Sequence, residues 1–156
     1  MQIMTFSARR YFEGARAAMR EADAKRRMRE LMRSREGVRA QGYEAVGRSG
    51  ISDPMAATDA RMDAEQGLDA EIAALEAEVD EAVAVCRRVR AIDPTCYGGS
   101  LLELHYFGLL SWREAARSVG VSETSARDEA RRALSLIEDV GVYRVLHGWG
   151  QMELPV

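Results

Sequence analysis

The sequence predicts an all-α protein in which two long helices, forming a helical hairpin or coiled-coil arms, precede a small C-terminal helix-turn-helix domain. Three features support this fold class. Residues 7–39 lack proline and are rich in strong helix formers. Residues 68–89, within a predicted helix that runs to about residue 91, carry apolar residues at alternating steps of four and three, which is typical of a coiled-coil helix. Near the C-terminus, two short helix patterns are joined by a turn that contains glycine.

The first predicted helix, from about Ser7 to Arg39, is basic and has a narrow apolar seam. The seam consists of Tyr11, Ala15, Ala18 and Ala22, with Met28, Leu31 and Met32 expected as further anchors. Because alanine buries little area, such a helix needs a packing partner. The arginine run after the seam suits a stripe that contacts phosphates, although charge runs on helices more often form a solvated face paired with acids.

Glycines and an Asp-Pro pair separate the two long helices. Residues 43–50 lie in a glycine-rich stretch and are predicted to form a loop. Asp53 as N-cap and Pro54 in the first turn predict the start of the second helix, which runs to about Ala91. Its apolar seam is predicted to be Leu68, Ile72, Leu75, Val79, Ala82, Cys86 and Val89.

Charge is distributed unevenly along the chain, whose net charge is −3. Residues 1–50 carry a net charge of +6, residues 51–100 of −7 and residues 101–156 of −2. The opposite charges favour packing of the long helices against each other over pairing with a second copy, although an exposed ion pair contributes only about 0.2–1 kcal/mol. The acidic balance of the whole chain is not typical of a nucleic-acid-binding protein.

A capping box locates the first helix of the C-terminal domain. Ser111 and, three residues later, Glu114 can satisfy the free amides at a helix start. Gly120 is placed to end this helix in a left-handed conformation, and Ser122 is placed to cap the next one. Two helices joined by so short a turn form a helix-turn-helix unit.

Apolar positions on three neighbouring helices are spaced to meet in one small core. They are Leu101, Leu104 and Phe107 on the preceding helix, Trp112, Ala115, Ala116 and Val119 on the first, and Ala126, Ala130, Ala133, Leu134 and Ile137 on the second. Asp93-Pro94 repeats the cap-and-proline device and predicts the start of the preceding helix, which is more secure from Ser100 onward because two glycines come before it. The last helix is expected to end near Val140.

These features divide the chain into four predicted parts. They are a basic helix and loop at 1–50, an acidic heptad helix at 51–92, the helix-turn-helix at 93–141 and an apolar tail at 142–156. The tail is too apolar for a disordered end, so we expect it to fold back on the neighbouring helices or to dock on a partner.

The segment from Leu104 to Leu134 follows a family pattern. Its matching residues are Leu104, Tyr106, Phe107, Ser111, Trp112, Glu114, Ala116, Gly120, Ser122, Arg131, Arg132, Ala133 and Leu134. This string resembles region 4 of bacterial sigma factors and, more closely, phage late-transcription activators of the ArpU/RinA type. Ser52-Asp53-Pro54 is more weakly similar to a feature upstream of the same module in those proteins. The resemblance implies that the second helix of the unit enters the major groove of DNA and that Trp112 is a core anchor.

A recognition helix that begins after Ser122 exposes a polar face. The candidate DNA-binding residues are Thr124, Ser125, Arg127, Asp128, Arg131 and Arg132, with Arg113 and Arg117 of the preceding helix near the DNA backbone. Arg127, and next Arg131, suit guanine, because one guanidinium can donate to both O6 and N7. Asp128 can accept from cytosine N4 but repels phosphate, and together with Glu129 it departs from the family pattern.

The resemblance and the residues together predict a cytoplasmic phage or prophage transcription regulator. Its expected partner is double-stranded DNA, with RNA polymerase or another host protein as a further candidate partner and a homodimer formed through the long helices. Two alternatives stay open. One is a protein-binding adaptor or inhibitor that uses an acidic helical surface against a host nucleic-acid-binding protein. The other is a small-terminase-like DNA-packaging protein.

Enzymatic activity, a cofactor and a small-molecule substrate are not expected. The two histidines, His105 and His147, belong to no metalloprotease motif, and the chain contains no phosphate loop, nucleophile elbow or CxxC pair. Cys86 and Cys96 are not in metal-ligand spacing and suggest a reducing compartment, and only with His105 can a metal site be imagined. The sequence offers neither an apolar leader nor a membrane-spanning stretch, so no membrane association is predicted.

Overall fold

The computed structural model describes residues 5–42 and 54–148, and the side chains of 5–35 and 55–148. Within these ranges the chain is helical and contains no β-strand, which confirms the predicted all-α class. The helices are α1 (Ala8–Gly42), α2 (Pro54–Ile92), α3 (Gly98–Tyr106), α4 (Trp112–Val119), α5 (Glu123–Val140) and α6 (Val142–His147). The predicted loop at 43–50, the predicted N-cap Asp53 and the tail residues 149–156 lie outside the described residues.

The helices contribute to two compact units. The first unit comprises the described residues of 1–17 and 78–156, and the second comprises those of 18–77. α1 therefore begins in the first unit and ends in the second, and α2 begins in the second unit and ends in the first. Each unit has buried residues of its own.

In the second unit, cationic side chains of α1 are paired with carboxylates of α2. The ion pairs are Lys25–Glu71, Arg26–Glu76, Arg29–Asp69 and Arg33–Glu65. Its buried residues are few and mostly small: Ala18, Ala22 and Ile72. A contact of this kind buries little apolar area, and the ion pairs are partly exposed, so neither contributes much stability alone.

Two residues that were expected to anchor α1 are exposed. Met28 is 56% and Leu31 is 61% exposed, so this prediction is wrong. The positions that continue the seam after Ala22 are occupied by Lys25 and Arg29, whose side chains are only 24% and 28% exposed. Long cationic side chains can cover an apolar face with their stems while their charged ends reach a partner. A charged stripe therefore takes the place of the expected apolar anchors.

The core of the first unit is built from residues far apart in the sequence. Its buried members are Ala8, Phe12 and Ala15 of α1, Ala82, Val85, Cys86 and Val89 of α2, Cys96, Leu102 and Tyr106, Ala130, Ala133 and Ile137 of α5, and Val145 of α6. The C-terminal part of the predicted heptad seam is thus buried as expected. The burial of Val145 also means that the described part of the tail folds back onto this core.

Phe12 is the largest fully buried side chain of this core, yet it is absent from the predicted seam. Its ring stacks on that of Tyr106 with centroids 5.6 Å apart, and it meets Phe107 edge-on at 6.3 Å. The predicted seam of α1 runs from Tyr11 through alanines, so Phe12 lies beside it. The side of α1 that carries Phe12 is covered by Tyr106 of α3 and by Phe107, which follows that helix.

The connection between α2 and α3 differs from the prediction. α3 begins at Gly98 instead of Pro94, and Asp93 forms a turn. The Oδ1 atom of Asp93 accepts hydrogen bonds from the backbone N–H of Thr95 at 3.0 Å and from its hydroxyl at 2.6 Å. These bonds, with a further contribution from Arg132, hold the pKa of Asp93 below its ordinary value. The carboxylate is used locally, so it does not cap a helix.

Two glycines at the start of α3 allow close packing. A methyl group on Gly98 would lie 2.1 Å from the carbonyl oxygen of Glu129, and one on Gly99 would lie 2.2 Å from that of Cys86. No side chain fits at either position, because real Cβ atoms do not approach an oxygen so closely. The glycines that made this helix start uncertain in the sequence are therefore the reason α3 can pack against both α5 and α2.

A smaller apolar cluster lies between α3, α4 and α5. It contains Leu101, Ala115, Ala116 and Ala126, with partly buried neighbours. Trp112 packs against both this cluster and the larger core, as expected of a core anchor. Val119, the last residue of α4, is 37% exposed, so its predicted place in the core is wrong.

Candidate nucleic-acid interface

The predicted caps hold the start and the end of α4. Ser111 Oγ accepts a hydrogen bond from the Glu114 N–H at 3.2 Å, and Glu114 Oε2 accepts from the Ser111 N–H at 2.8 Å. The bonds that Glu114 Oε2 accepts from the Ser111 N–H and, at 2.9 Å, from the Ser111 hydroxyl lower the pKa of Glu114. At the other end, Gly120 is left-handed, with φ 82° and ψ 30°, and its N–H donates to Ala116 O at 2.9 Å. The capping box and the glycine C-cap are thus confirmed.

The start of α5 engages one of the candidate contact residues. Ser122 Oγ accepts from the Ser125 N–H at 3.1 Å and donates to the Ser125 hydroxyl at 2.9 Å. Since the backbone of Ser125 is part of the cap, its position relative to Thr124 and Arg127 is set by the helix start. Ser122 therefore determines which side chains the first turn of α5 exposes.

Every candidate contact residue lies at the surface. Thr124, Ser125, Arg127, Asp128, Arg131 and Arg132 of α5 are exposed, as are Arg113 and Arg117 of α4. The opposite face of α5 is buried through Ala126, Ala130, Ala133 and Ile137. The structure therefore places these candidates on the solvent side of the two helices.

The two arginines favoured for base contacts are each paired with an acid of the same helix. Arg127 donates through Nε at 3.2 Å and Nη2 at 2.8 Å to Glu123 Oε1, and its side chain is 48% exposed. Arg131 donates through Nη1 to Asp128 Oδ1 at 3.1 Å, and its side chain is 68% exposed. Both pairs are open to solvent, so each holds its arginine weakly. The remaining N–H groups of both guanidiniums are free of these carboxylates.

Arg132 has a different set of partners. Its Nη2 lies 2.6 Å from Asp93 Oδ2 and 2.9 Å from Thr95 Oγ1, so it joins α5 to the connection between α2 and α3. The charge of Asp93 is also the main reason that the pKa of Arg132 is raised. On the other side, Arg132 Nη1 is 3.4 Å from Glu129 Oε1. Arg132 is thus committed to contacts within the protein more than the other two arginines are.

A cleft of about 290 Å³ lies beside the face of α5 that carries Arg127 and Arg131. Its lining residues are Arg9 and Glu13 of α1, His105 and Tyr106 of α3, Trp112 of α4, and Arg127, Ala130, Arg131 and Leu134 of α5. All of these residues belong to the first unit. The first turns of α1 therefore border the candidate interface.

The floor of this cleft contains a stacked pair of rings. His105 lies parallel to Trp112, with centroids 4.0 Å apart and an interplanar angle of 18°. His105 Nδ1 is 2.8 Å from Leu110 O. Burial lowers the pKa of His105, and the nearby Arg16 and Arg127 lower it further. Since its ordinary pKa is already near 6.5, His105 is neutral at pH 7 and the positive charge of the cleft comes from its arginines.

No protein-family model, curated protein or solved structure matches this chain. The resemblance to sigma region 4 and to ArpU/RinA-type activators therefore stays a prediction. None of the helices in the described ranges is long and apolar enough to cross a membrane. Within residues 5–42 and 54–148, no group of histidine, cysteine and acidic side chains is arranged to hold a metal ion, and Cys86 and Cys96 are free, buried thiols.

Arg9 was missed as a candidate residue of this interface. It lies near the other end of the chain from α5, and its neighbours Arg10 and Arg16 carry the same charge. The only local signal was that Arg9, Glu13 and Arg16 recur at steps of four and three on one side of α1. That spacing marks a helix face but does not say what the face meets.

Proposed function

We propose that this protein binds double-stranded DNA through a helix-turn-helix formed by α4, Gly120 and α5, and that it regulates transcription. The observation that carries the proposal is the exposure of Arg127 and Arg131 on a helix whose start is fixed by the Ser122 cap. A recognition helix needs this combination, because its first turns must enter the major groove with base-reading side chains outward.

The roles of the side chains follow from their positions. Arg127 and Arg131 are proposed to read guanine, since the N–H groups that they do not give to Glu123 and Asp128 can reach base edges. Arg113 and Arg117 on α4 are proposed to contact phosphates. Neither makes an ion pair with a carboxylate in the described part of the chain, so both are available to an external anion.

The long helices are proposed to pair as an antiparallel hairpin. The partners on α2 move from Glu71 to Asp69 and Glu65 as the cations on α1 move from Lys25 to Arg29 and Arg33, which is the order that antiparallel helices require. Because acids of α2 engage these cations, the basic face of α1 is better interpreted as a face paired with acids than as a stripe that contacts phosphates. In a phage or prophage regulator, the hairpin would then act as a scaffold and as a binding surface for a second copy or for RNA polymerase.

The DNA-binding proposal is tested by selecting duplexes from a random library and measuring their affinity by fluorescence anisotropy. Combining Arg127→Ala with Arg131→Ala is expected to lower the affinity for the selected duplexes by at least about tenfold, since each base contact is worth ~1–3 kcal/mol. The control combines Arg10→Ala with Arg90→Ala, which removes the same charge from exposed positions outside α4 and α5. Selection of no duplex, or equal losses in both double variants, would contradict the proposal.

A second candidate function is favoured by the pairing of the α5 arginines with acids. Thr124, Asp128, Ser135 and Asp139 recur at steps of four, seven and four on the exposed side of α5, with Arg131 between Asp128 and Ser135, so polar and acidic residues predominate on this surface. Such a surface suits a protein-binding adaptor or inhibitor that occupies the basic site of a host nucleic-acid-binding protein. A nuclease-resistant, stoichiometric complex that Asp128→Arg abolishes would support this alternative, whereas clean DNA binding with no such complex would remove it.

A further inference from the structure

We propose that the cleft between the first turns of α1 and α5 is a phosphate-binding site with Arg9, Arg127 and Arg131 as its ligands. The proposal deepens the DNA-binding function, on which it rests for its preferred ligand, a phosphate of the DNA backbone beside the groove that α5 enters. A free nucleotide or pyrophosphate presents the same chemistry and is the other source considered.

The lining of the cleft has an excess of positive charge. Three guanidiniums, those of Arg9, Arg127 and Arg131, face one carboxylate, Glu13, among the lining residues. Arg9 makes no ion pair with any carboxylate in the described residues. The acids that hold Arg127 and Arg131 lie on α5 itself and occupy only part of each guanidinium. Arginine forks match phosphate oxygens well, so the unused N–H groups can be shared by one anion.

A fourth arginine, Arg16, follows the lining residue Glu13 by three residues on α1 and has an unsatisfied donor. The Nε of Arg16 is buried and has no hydrogen-bond acceptor among the described residues. The charges of Arg16 and Arg127 both contribute to lowering the pKa of His105, a lining residue of the cleft, after the larger effect of burial. A buried N–H without a partner is costly unless something supplies an acceptor. Binding of an anion in the cleft would offset the repulsion among the three lining arginines, Arg9, Arg127 and Arg131.

The size and walls of the cleft limit the ligand. About 290 Å³ accommodates a phosphate with an attached sugar or a second phosphate, but not a stretch of duplex. The stacked rings of His105 and Trp112 line the same cleft and offer an aromatic surface for a sugar attached to the phosphate. The negative charge of Glu13 disfavours a phosphate. Neutralising Glu13 should therefore raise the affinity for phosphate, whereas neutralising a lining arginine should lower it.

The test uses the full chain and two probes, a duplex selected as above and inorganic pyrophosphate. Duplex affinity is measured by anisotropy over a range of salt concentrations. Pyrophosphate binding is followed by the fluorescence of Trp112, in a Trp149→Phe background that leaves it the single tryptophan. Arg9→Gln removes a ligand, Glu13→Gln removes the opposing charge, and Arg10→Gln is the matched control, because Arg10 is exposed, adjacent in sequence and not part of the cleft lining.

Arg9→Gln is expected to weaken duplex binding about tenfold and to reduce the slope of log affinity against log salt by about one, as loss of one phosphate contact does. Glu13→Gln is expected to tighten binding severalfold, and Arg10→Gln to change it less than about twofold at physiological salt. Two results would overturn the phosphate site, if found with both probes. One is that Arg9→Gln lowers the affinity no more than Arg10→Gln does, and the other is that Glu13→Gln does not raise it.

The same measurements separate the two proposals. Duplex binding that depends on Arg127 and Arg131 but not on Arg9 or Glu13, together with no Arg9-dependent binding of pyrophosphate, leaves the DNA-binding function standing and removes the phosphate site. Pyrophosphate binding that depends on Arg9, with no duplex bound, keeps the cleft as a site for a free phosphate compound and removes the DNA-binding function. If the protein with an unaltered cleft binds neither the duplex nor pyrophosphate, both the DNA-binding function and the phosphate site are removed.

Discussion

The carboxylate of Glu138 on α5 accepts a hydrogen bond from the backbone N–H of Ala8 at 3.0 Å, and so caps the first turn of α1 across 130 residues of sequence. α1 carries no acidic residue in its own first turn, and the other acceptor there, Ser7 Oγ, is 3.4 Å from the Arg10 N–H. Glu138 therefore supplies both the missing hydrogen bond and the negative charge that a helix N-terminus favours.

Glu138→Ala is expected to destabilise the protein by about 1 kcal/mol, the usual cost of losing a helix cap. Asp139→Ala is the control, since Asp139 is exposed and adjacent but, unlike Glu138, makes no hydrogen bond or ion pair with the described residues of α1. The measurement is urea denaturation followed by circular dichroism. Equal midpoints for the two variants would mean that the Glu138–Ala8 bond adds no stability.

Gly98→Ala is expected to cost about 3 kcal/mol or more, because the added methyl group would overlap the carbonyl oxygen of Glu129 and backbone atoms cannot move aside cheaply. Gly67→Ala is the matched control. Gly67 lies within α2 and a methyl group there meets nothing within 4 Å. Alanine at this helical position should therefore stabilise the protein by about 0.5–1 kcal/mol. Thermal unfolding of both variants is the measurement, and shifts of the same sign would contradict the packing argument.

Phe12→Ala is expected to cost about 3–5 kcal/mol, since it empties a fully buried site between α1 and the aromatic residues of α3. Phe6→Ala removes the same ring from a residue that is 43% exposed, and should cost far less. Urea denaturation compares the two. If they unfolded at the same denaturant concentration, the first turns of α1 would not be part of this core in solution.

Acid should remove the stabilisation contributed by Glu114. Its pKa is lowered in the folded protein by hydrogen bonds from Ser111, so its contribution is complete above the pKa of the unfolded chain, about 4.3, and is lost as pH falls through the folded value. The stability difference between wild type and Glu114→Gln should therefore shrink below about pH 4. Denaturation at a series of pH values checks this, with Glu123→Gln as a control carboxylate that accepts no capping bond at Ser111.

Features set by neighbouring residues were predictable. The capping box at Ser111, the left-handed Gly120 and the Ser122 cap each depend on groups within a few residues, and all three are present. The burial of Ile72, Ala82 and Cys86 followed from helical spacing in the same way. The prediction failed at Asp93, where an equally local alternative, the turn bonded to Thr95, competes successfully with a helix cap.

Features set by distant residues were not predictable. Arg9 belongs to the cleft only because α1 packs beside α5, and the seam positions next to the exposed Met28 are occupied by Lys25 and Arg29, which pair with acids of α2. Nothing within a few residues of Arg9 or Met28 reports such partners. The exposure of the α5 candidates was foreseen, but their pairing was not, since a side chain that can reach an acid one turn away can equally point elsewhere.

The sequence by itself determined the long helices α1 and α2, the caps of α4 and α5 and much of the face that α2 buries, because hydrogen bonds near helix ends and apolar spacing act over a few residues. The tertiary structure alone decided which helices meet. It brought Glu138 to the start of α1, removed the room for a side chain at Gly98, and placed Arg9 beside Arg127 and Arg131. These contacts depend on packing between segments separated by many residues, and each is a property of the folded chain as a whole.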